Sequence, residues 1–481
     1  MKFKQILNTL GALWIFLGGA MTLALPFSLY YMDGDFNAIL ISVGITVGIG
    51  FIAWFTTRGE SEIKVRDGFA IVTLGWVTSA IFGALPFLIS GSISSPVDAF
   101  FESMSGFTTT GASILIDIEA LPHGILFWRS LTQWLGGMGI IVFSLAILPM
   151  LGIGAAQLYK AEAPGPTKDR FTPRIRETAK LLWITYILIS GVEVVMLYAG
   201  GMDFFDSVCH SFGTMATGGF STKNASIAHF NSAYFDYVII FFMVLAGANF
   251  ALHFRLFKGD LAAHIRDKEF QFYLGLIVIF SAAFLVIIFI SENVTGDVAV
   301  RKALFQTVAI LTTTGYVITD FELWIPAGQL LVLAMMFIGG CASSTGGSMK
   351  VIRVVILVKH AAHEIRKLVH PTAVYPVRFG ERVISDDVIR NVLGFFLFYM
   401  GIFVTVSIIM TAIGLDIVSA LSVTASALGN IGPALGSLGP TDNYAHLPAF
   451  GKLVLNFCML LGRLELFTVI VLFSRTFWRE R

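Results

Sequence analysis

The sequence predicts an all-α polytopic membrane protein of ten transmembrane helices, two N-terminal ones followed by four tandem helix–pore loop–helix repeats with fourfold pseudo-symmetry. Three observations predict it. Apolar composition is sustained along the whole chain, basic and acidic residues fall on opposite sets of connections, and four connections of the acidic set align on a glycine.

The chain of 481 residues is 56% apolar and 13% charged, with 44 Phe. That balance overrides the expectation of several soluble domains that the length alone would give. Apolar runs of roughly 20 residues, the length needed to cross about 30 Å of hydrocarbon, recur throughout and leave no segment for a soluble catalytic domain. They lie near 6–31, 36–56, 68–90, 125–152, 181–200, 233–257, 272–291, 326–362 (interrupted), 391–413 and 447–474. The first is too long for a signal-peptide core and lacks a small-residue cleavage pattern, so it is expected to be retained. Cys209, Cys341 and Cys458 have no CxxC or Cys/His spacing, which argues against a disulfide framework or a metal centre.

An even number of spans puts both termini on one side, and basic residues decide which side. Of the 32 Lys and Arg, 24 fall on the connections that include both termini, among them Lys2, Arg58, Arg174, Lys180, Arg255, Arg366 and Arg475. The other set holds Arg129, Lys223, Arg301, Lys302 and Lys452 against a larger group of carboxylates that includes Asp98, Glu102, Asp117, Asp206, Asp320, Glu322, Asp416 and Asp442. Both termini are therefore expected in the cytoplasm, with an acidic outer face that concentrates cations.

Four outer connections align without gaps: SMSGFTTTG to Gly111, SFGTMATGG to Gly219, TVAILTTTG to Gly315 and TASALGNIG to Gly432, about 100 residues apart. Each lies between two spans, so the units are parallel, unlike the inverted repeats of many carriers. The implied division is 1–66 for two N-terminal helices, then repeats over 67–175, 176–268, 269–384 (second helix interrupted) and 385–481. Gly137, Gly247, Gly340 and Gly462 recur at similar distances downstream, which points to shared ancestry of the four units.

Such loops suit a bare cation. Extended backbone can turn successive carbonyls towards an axis where glycine supplies the unusual dihedral angles, replacing a hydration shell. Non-helical chain at membrane depth is tolerated where it lines a cavity or is buried in protein. A short helix ending before each glycine would aim its negative end at the axis. The hydroxyls of Thr108, Thr109, Thr110, Thr217, Thr312, Thr313 and Thr314 would add uncharged oxygen ligands.

Asp98–Gly111 with WRSLTQWLGGMGIIV (Trp128–Val142), TMATGGFST, LTTTGYV, GNIGP and GRLELFTV (Gly462–Val469) resemble the potassium-uptake membrane subunits of the Trk/Ktr superfamily over nearly the whole chain. The two spans before the first repeat are similar to its TrkH/TrkG type and unlike the shorter KtrB type. The resemblance implies a multi-pass protein of the bacterial inner (plasma) membrane that takes up K+ as the transported ion. It further implies one filter per chain, no covalently bound cofactor, a homodimeric core amid membrane lipid, a cytosolic TrkA-type nucleotide-binding regulatory ring and no nucleic-acid partner. The family's potassium-binding filter falls on Thr109, Thr110, Gly111; Thr217, Gly218, Gly219; Thr313, Thr314, Gly315; and Asn430, Ile431, Gly432. The fourth strand departs furthest, since Ile431 brings no side-chain oxygen and Asn430 no hydroxyl.

Arg463 sits mid-span, where a charge costs a few kcal/mol unless it meets water or a partner. It either pairs with a carboxylate such as Glu193 or faces the pore below the filter as a barrier to cations; the resemblance favours the second. Glu465, two residues on, points elsewhere. The run Gly339–Ser348 is too rich in Gly and Ser to stay helical. It resembles the family's intramembrane loop, and with Gly346, Gly347, Ser348 and Arg463 it is expected to form the gate. It is no phosphate loop, because Lys350 does not complete GxxxxGK[ST]. The Val351–Leu368 extension, with His360 and His363, reads as a solvated amphipathic helix that meets a cytosolic partner or a second protomer. The basic, proline-rich loop Ala161–Arg174 suits docking or linkage. No H-E-x-x-H or G-x-S-x-G accompanies the intramembrane charges, so an enzyme is not expected.

Overall fold

The computed structural model describes residues 2–59, 65–146, 171–370, 376–380 and 382–478. They are almost entirely helical. Helices α1 (Phe3–Met21), α2 (Leu25–Tyr31) and α3 (Phe36–Thr56) form the N-terminal unit. α1 and α3 press together where Gly11 faces Gly50: a Cβ on Gly11 would lie 2.8 Å from Gly50 O, and one on Gly50 2.9 Å from Gly11 O. Small residues at a membrane-helix crossing permit this close approach.

Next come α4 (Val65–Gly83), α5 (Leu85–Ile89), α6 (Pro96–Phe107) and α7 (His123–Ala146). Buried Asp35 ties α3 to this group by accepting from Ser28 Oγ and from Ile125 N at 3.0 Å. The chain continues through α8 (Phe171–Ala199), α9 (Phe204–Met215), α10 (Ala233–Gly247), α11 (Phe250–Phe257) and the single turn α12 (Ala263–Arg266). Then follow α13 (Lys268–Glu292), α14 (Gly296–Leu311), α15 (Pro326–Met335) and α16 (Val351–Val369). A two-stranded hairpin, Arg378–Phe379 with Arg382–Val383, precedes α17 (Asp386–Ala412), α18 (Ile417–Gly429), α19 (Ala449–Arg463), α20 (Phe467–Ile470) and α21 (Arg475–Trp478).

Among the described residues six helices are long and apolar enough to cross a membrane, or up to eight if each of two bent pairs is one span. The bends are 102° between α10 and α11 and 112° between α19 and the Phe467–Phe473 segment. Of the ten runs expected from sequence, 125–152 begins as α7 and passes into residues outside the described set. The run 326–362 is not one helix: α15 ends at Met335, and the backbone stays irregular until α16 starts at Val351. The Ala161–Arg174 loop lies mostly outside the described residues.

The four short helices α6, α9, α14 and α18 are deeply buried at their C-terminal ends. Their last turns carry Met104, Met215, Ile310 and Leu428, each at most 2% exposed. Three begin on side-chain caps: Ser95 accepts from Asp98 N, Asp203 from Phe205 N, and Asp416 from Val418 N and Ser419 N. Such caps satisfy amides that a helix leaves orphaned at its start.

Candidate functional site

All four short helices end in the same way. Thr109, Thr217, Thr313 and Asn430 adopt left-handed backbone, with φ of 51°, 54°, 61° and 53°. The next amide in each loop reaches back to the last turn: Thr110 N to Ser105 O at 2.8 Å, Gly218 N to Gly213 O at 2.8 Å, Thr314 N to Ala309 O at 2.9 Å and Ile431 N to Ser426 O at 3.0 Å. This is the Schellman closure, which usually places glycine at the left-handed position. Threonine there is a genuine outlier, since its branched Cβ crowds the backbone, and strained residues of this kind cluster at functional sites. Asparagine tolerates that conformation more readily. The fourth loop, which departs in side-chain chemistry, therefore keeps the backbone of the other three.

One residue further on, Gly111, Gly219, Gly315 and Gly432 also have positive φ, from 74° to 104°. Each meets the carbonyl that precedes the equivalent glycine of another loop. A Cβ on Gly111 would run into Gly218 O, on Gly219 into Thr314 O and on Gly315 into Ile431 O, all well under 3.0 Å; on Gly432 it would lie 2.7 Å from Thr110 O. The contacts run first loop to second, second to third, third to fourth and fourth back to first, which closes a ring. The twelve residues singled out in sequence as a filter thus converge on one place.

Most of the threonine hydroxyls make hydrogen bonds within the protein. Thr108 and Thr110 Oγ1 lie 2.8 Å apart, as do Thr312 and Thr314 Oγ1. Thr217 Oγ1 donates to Ala216 O, and Thr313 Oγ1 accepts from Gly347 N at 2.6 Å. Thr109 Oγ1 is buried without a partner among the described residues. Asn430 Nδ2 donates to Thr110 Oγ1 at 3.0 Å and to Met459 O at 2.9 Å, joining the last loop to the first.

Residues of α6 and α7 that the sequence did not mark as part of a site hold this ring. Gln133 Nε2 donates to Gly218 O at 2.6 Å and its Oε1 accepts from Phe220 N at 3.0 Å, so one amide clamps both sides of Gly219. Arg129, 2% exposed, pairs with buried Glu102 at 2.7 Å, donates to Ser221 O and covers the Phe220 ring at 3.6 Å. Arg129 and Gln133 stand at i, i+4 inside an apolar run, which is the signal that could have found them. Glu102→Gln leaves the Arg129 charge buried and unpaired, an outcome worth about 3–5 kcal/mol. A lowered unfolding midpoint in detergent is the expected result. Gln133→Leu removes both clamps, and a reduced preference for potassium over sodium in vesicle uptake is expected.

The connections expected on the outer face carry excess negative charge. Each of the five basic residues assigned there is neutralised: Arg129 by Glu102, Lys223 by Asp206, Arg301 by Asp236, Lys302 by Glu292 and Lys452 by Asp98. Asp320, Glu322, Asp416 and Asp442 have no basic partner among the described residues. The Glu322 carboxyl is held above its usual range first by burial and then by Asp320, Asp442 and Asp416.

On the other side of the ring, the irregular segment between α15 and α16 lies against the loops. Besides the Gly347 to Thr313 bond, a Cβ on Gly347 would collide with Gly429 O. Thr345 Oγ1 reaches Met215 O and Ala246 O, both at 3.1 Å, and Ser348 Oγ bonds Met336 O at 2.7 Å. Lys350 Nζ caps Gly346 O. Arg463, 2% exposed, donates Nη1 to Thr345 O at 2.6 Å and Nη2 to Gly136 O at 3.1 Å. It therefore bonds backbone carbonyls, and Glu193 is not among its hydrogen-bond partners. Glu465 pairs with Arg353 of α16. The downstream glycines are not equivalent in space. Gly137 and Gly247 press on Ala216 and Thr312 of the following loop, Gly340 sits against Gly247 O, and Gly462 abuts Leu428 O within its own unit.

A buried ring of glycine loops inside a helical membrane chain belongs to the class of membrane transport proteins. The chain is a member of the TrkH family of cation transport proteins, whose family model matches residues 36–296 and 272–480. It is 42% identical over 488 residues to the Trk system potassium uptake protein TrkH of Escherichia coli strain K12, covering all of both chains. Over 459 residues it is 34% identical to TrkG of the same organism, covering 94% of each. The crystal structure of the potassium transporter TrkH from Vibrio parahaemolyticus superposes with a TM-score of 0.92 at 39% identity, covering all of both chains. The family is one of transporters, not enzymes.

Proposed function

We propose that this chain takes up potassium across the bacterial inner membrane through one filter formed by its four glycine loops. The observation that carries the reading is the closed ring, in which each loop glycine lies against the carbonyl of its neighbour. Fixed carbonyls around an axis can stand in for the water of a dehydrated cation, and the negative ends of four helices favour positive charge beside them. The acidic outer face with its neutralised lysines and arginines raises the local concentration of cations. Potassium as the cargo is supported by the full-length similarity to potassium uptake proteins.

The filter comprises Thr109–Gly111, Thr217–Gly219, Thr313–Gly315 and Asn430–Gly432, contributed by four parallel repeats after two N-terminal helices, ten spans in all with both termini cytoplasmic. Because most threonine hydroxyls are engaged elsewhere, the backbone carbonyls are the principal ligands. Gly346, Gly347 and Ser348 form the gate, pinned shut beneath the filter by Arg463. A homodimer and a cytosolic nucleotide-binding ring that acts on α16 complete the assembly.

The test is direct. Expression in a strain deficient in potassium uptake should restore growth at low external potassium, and the purified chain in vesicles should take up potassium in preference to sodium. Equal uptake of the two ions would overturn the reading.

A further inference from the structure

A cavity of about 860 Å³ opens between α1, α4, α7 and α8. Its inner end is formed by Phe107, the last residue of α6, and by Gly136 of α7. Its mouth carries Phe16, Ile184 and Ile187, which are 49%, 43% and 46% exposed, so it opens sideways from the helix bundle towards the bilayer. The walls are apolar except for Ser79 and Lys180. A stable buried water needs two to four polar partners, and apolar cavities stay dry. A space of this size, within the range that encloses a small-molecule ligand, is therefore suited to hydrocarbon.

Lys180 lies three residues before Trp183 on α8, at the end of the span where basic residues concentrate. A lysine at that level can lay its stem along apolar wall and present its ammonium to a lipid phosphate. We propose that this cavity binds one acyl chain of an anionic phospholipid of the cytoplasmic leaflet, with Lys180 pairing to the headgroup. The chain end then rests against two backbone groups of the transport site. Phe107 O accepts from Trp76 Nε1 at 3.2 Å, and Gly136 O is the second acceptor of Arg463. The lipid supports the first loop and the Arg463 pin from behind.

The test uses the full chain in phosphatidylcholine vesicles containing phosphatidylglycerol with brominated acyl chains, which quench tryptophan on contact. Trp76 emission is isolated as the difference between wild type and Trp76→Phe. Brominated phosphatidylglycerol should quench it at least twofold more than brominated phosphatidylcholine, and Lys180→Gln should abolish that headgroup preference. If Trp76→Phe does not fold, Trp183→Phe on α8 provides the same difference measurement. Equal quenching by both lipids in the wild type, or a preference that survives Lys180→Gln, overturns the proposal. So does absence of quenching, the result expected if the segment after α7 or a second copy of the chain fills the groove. The readout does not depend on which ion is transported.

Discussion

Gly219→Ala and Gly315→Ala should each reduce potassium uptake by at least about tenfold, the equivalent of about 1.4 kcal/mol, and should erode discrimination against sodium. Two costs combine at these positions. The backbone angles, φ of 74° and 76°, lie in the region where an L side chain is penalised by about 1–2 kcal/mol. The added methyl would also run into Thr314 O or Ile431 O, the oxygens that would face an ion. Neither carbonyl can retreat freely, because the preceding amides are fixed to Ala309 and Ser426. The strand must shift as a unit, and the ring loses its geometry. Gly275, with open space around it in α13, is the control. Uptake in Gly275→Ala should match wild type, and wild-type selectivity in both ring variants would show that the loops are not the filter.

Arg463→Gln should raise potassium flux at fixed driving force. Hydrogen bonds from a charged donor contribute about 1.5–3 kcal/mol each, and Arg463 makes two, to the intramembrane segment at Thr345 and to α7 at Gly136. Losing both frees the segment, so an increase of about tenfold or more in open probability is expected. Arg463→Lys separates pin from barrier: it keeps the charge but lacks the planar fork that reaches two carbonyls together. If the fork matters, Arg463→Lys conducts nearly as well as Arg463→Gln. If charge alone matters, it stays near wild type. Unchanged flux in both variants would remove Arg463 from the gate.

The readable parts of this molecule were those written in residue type and spacing. Four loops ending in glycine, a Gly- and Ser-rich interruption and a mid-span arginine are such signals, and the structure brings all three together. What stayed hidden involves groups with no residue signature. The acceptors of Arg463 are main-chain carbonyls 118 and 327 residues away, and nothing in the sequence singles out one carbonyl from another. Threonine in a filter motif suggests hydroxyl ligands, but rotamer and neighbour decide where a hydroxyl points: Thr108 Oγ1 donates to Met104 O and lies beside Thr110 Oγ1. The downstream glycines differ in place for a related reason: their distances from the loop glycine are similar but not equal, and Gly340 lies in the irregular segment while the other three lie in helices. Glu465 found Arg353 across the bundle because the chain turns sharply after α19, with positive φ at Glu465 and Leu466.

The irregular segment under the ring comes from one quadrant only. Were the ring assembled from four identical chains, any stopper built into one would be built into all, and four copies would compete for the same axial space. A single polypeptide is free of that constraint. On the proposed reading it keeps near-equal walls around the ion and devotes one arm to obstruction, so that displacing a single segment would open the path.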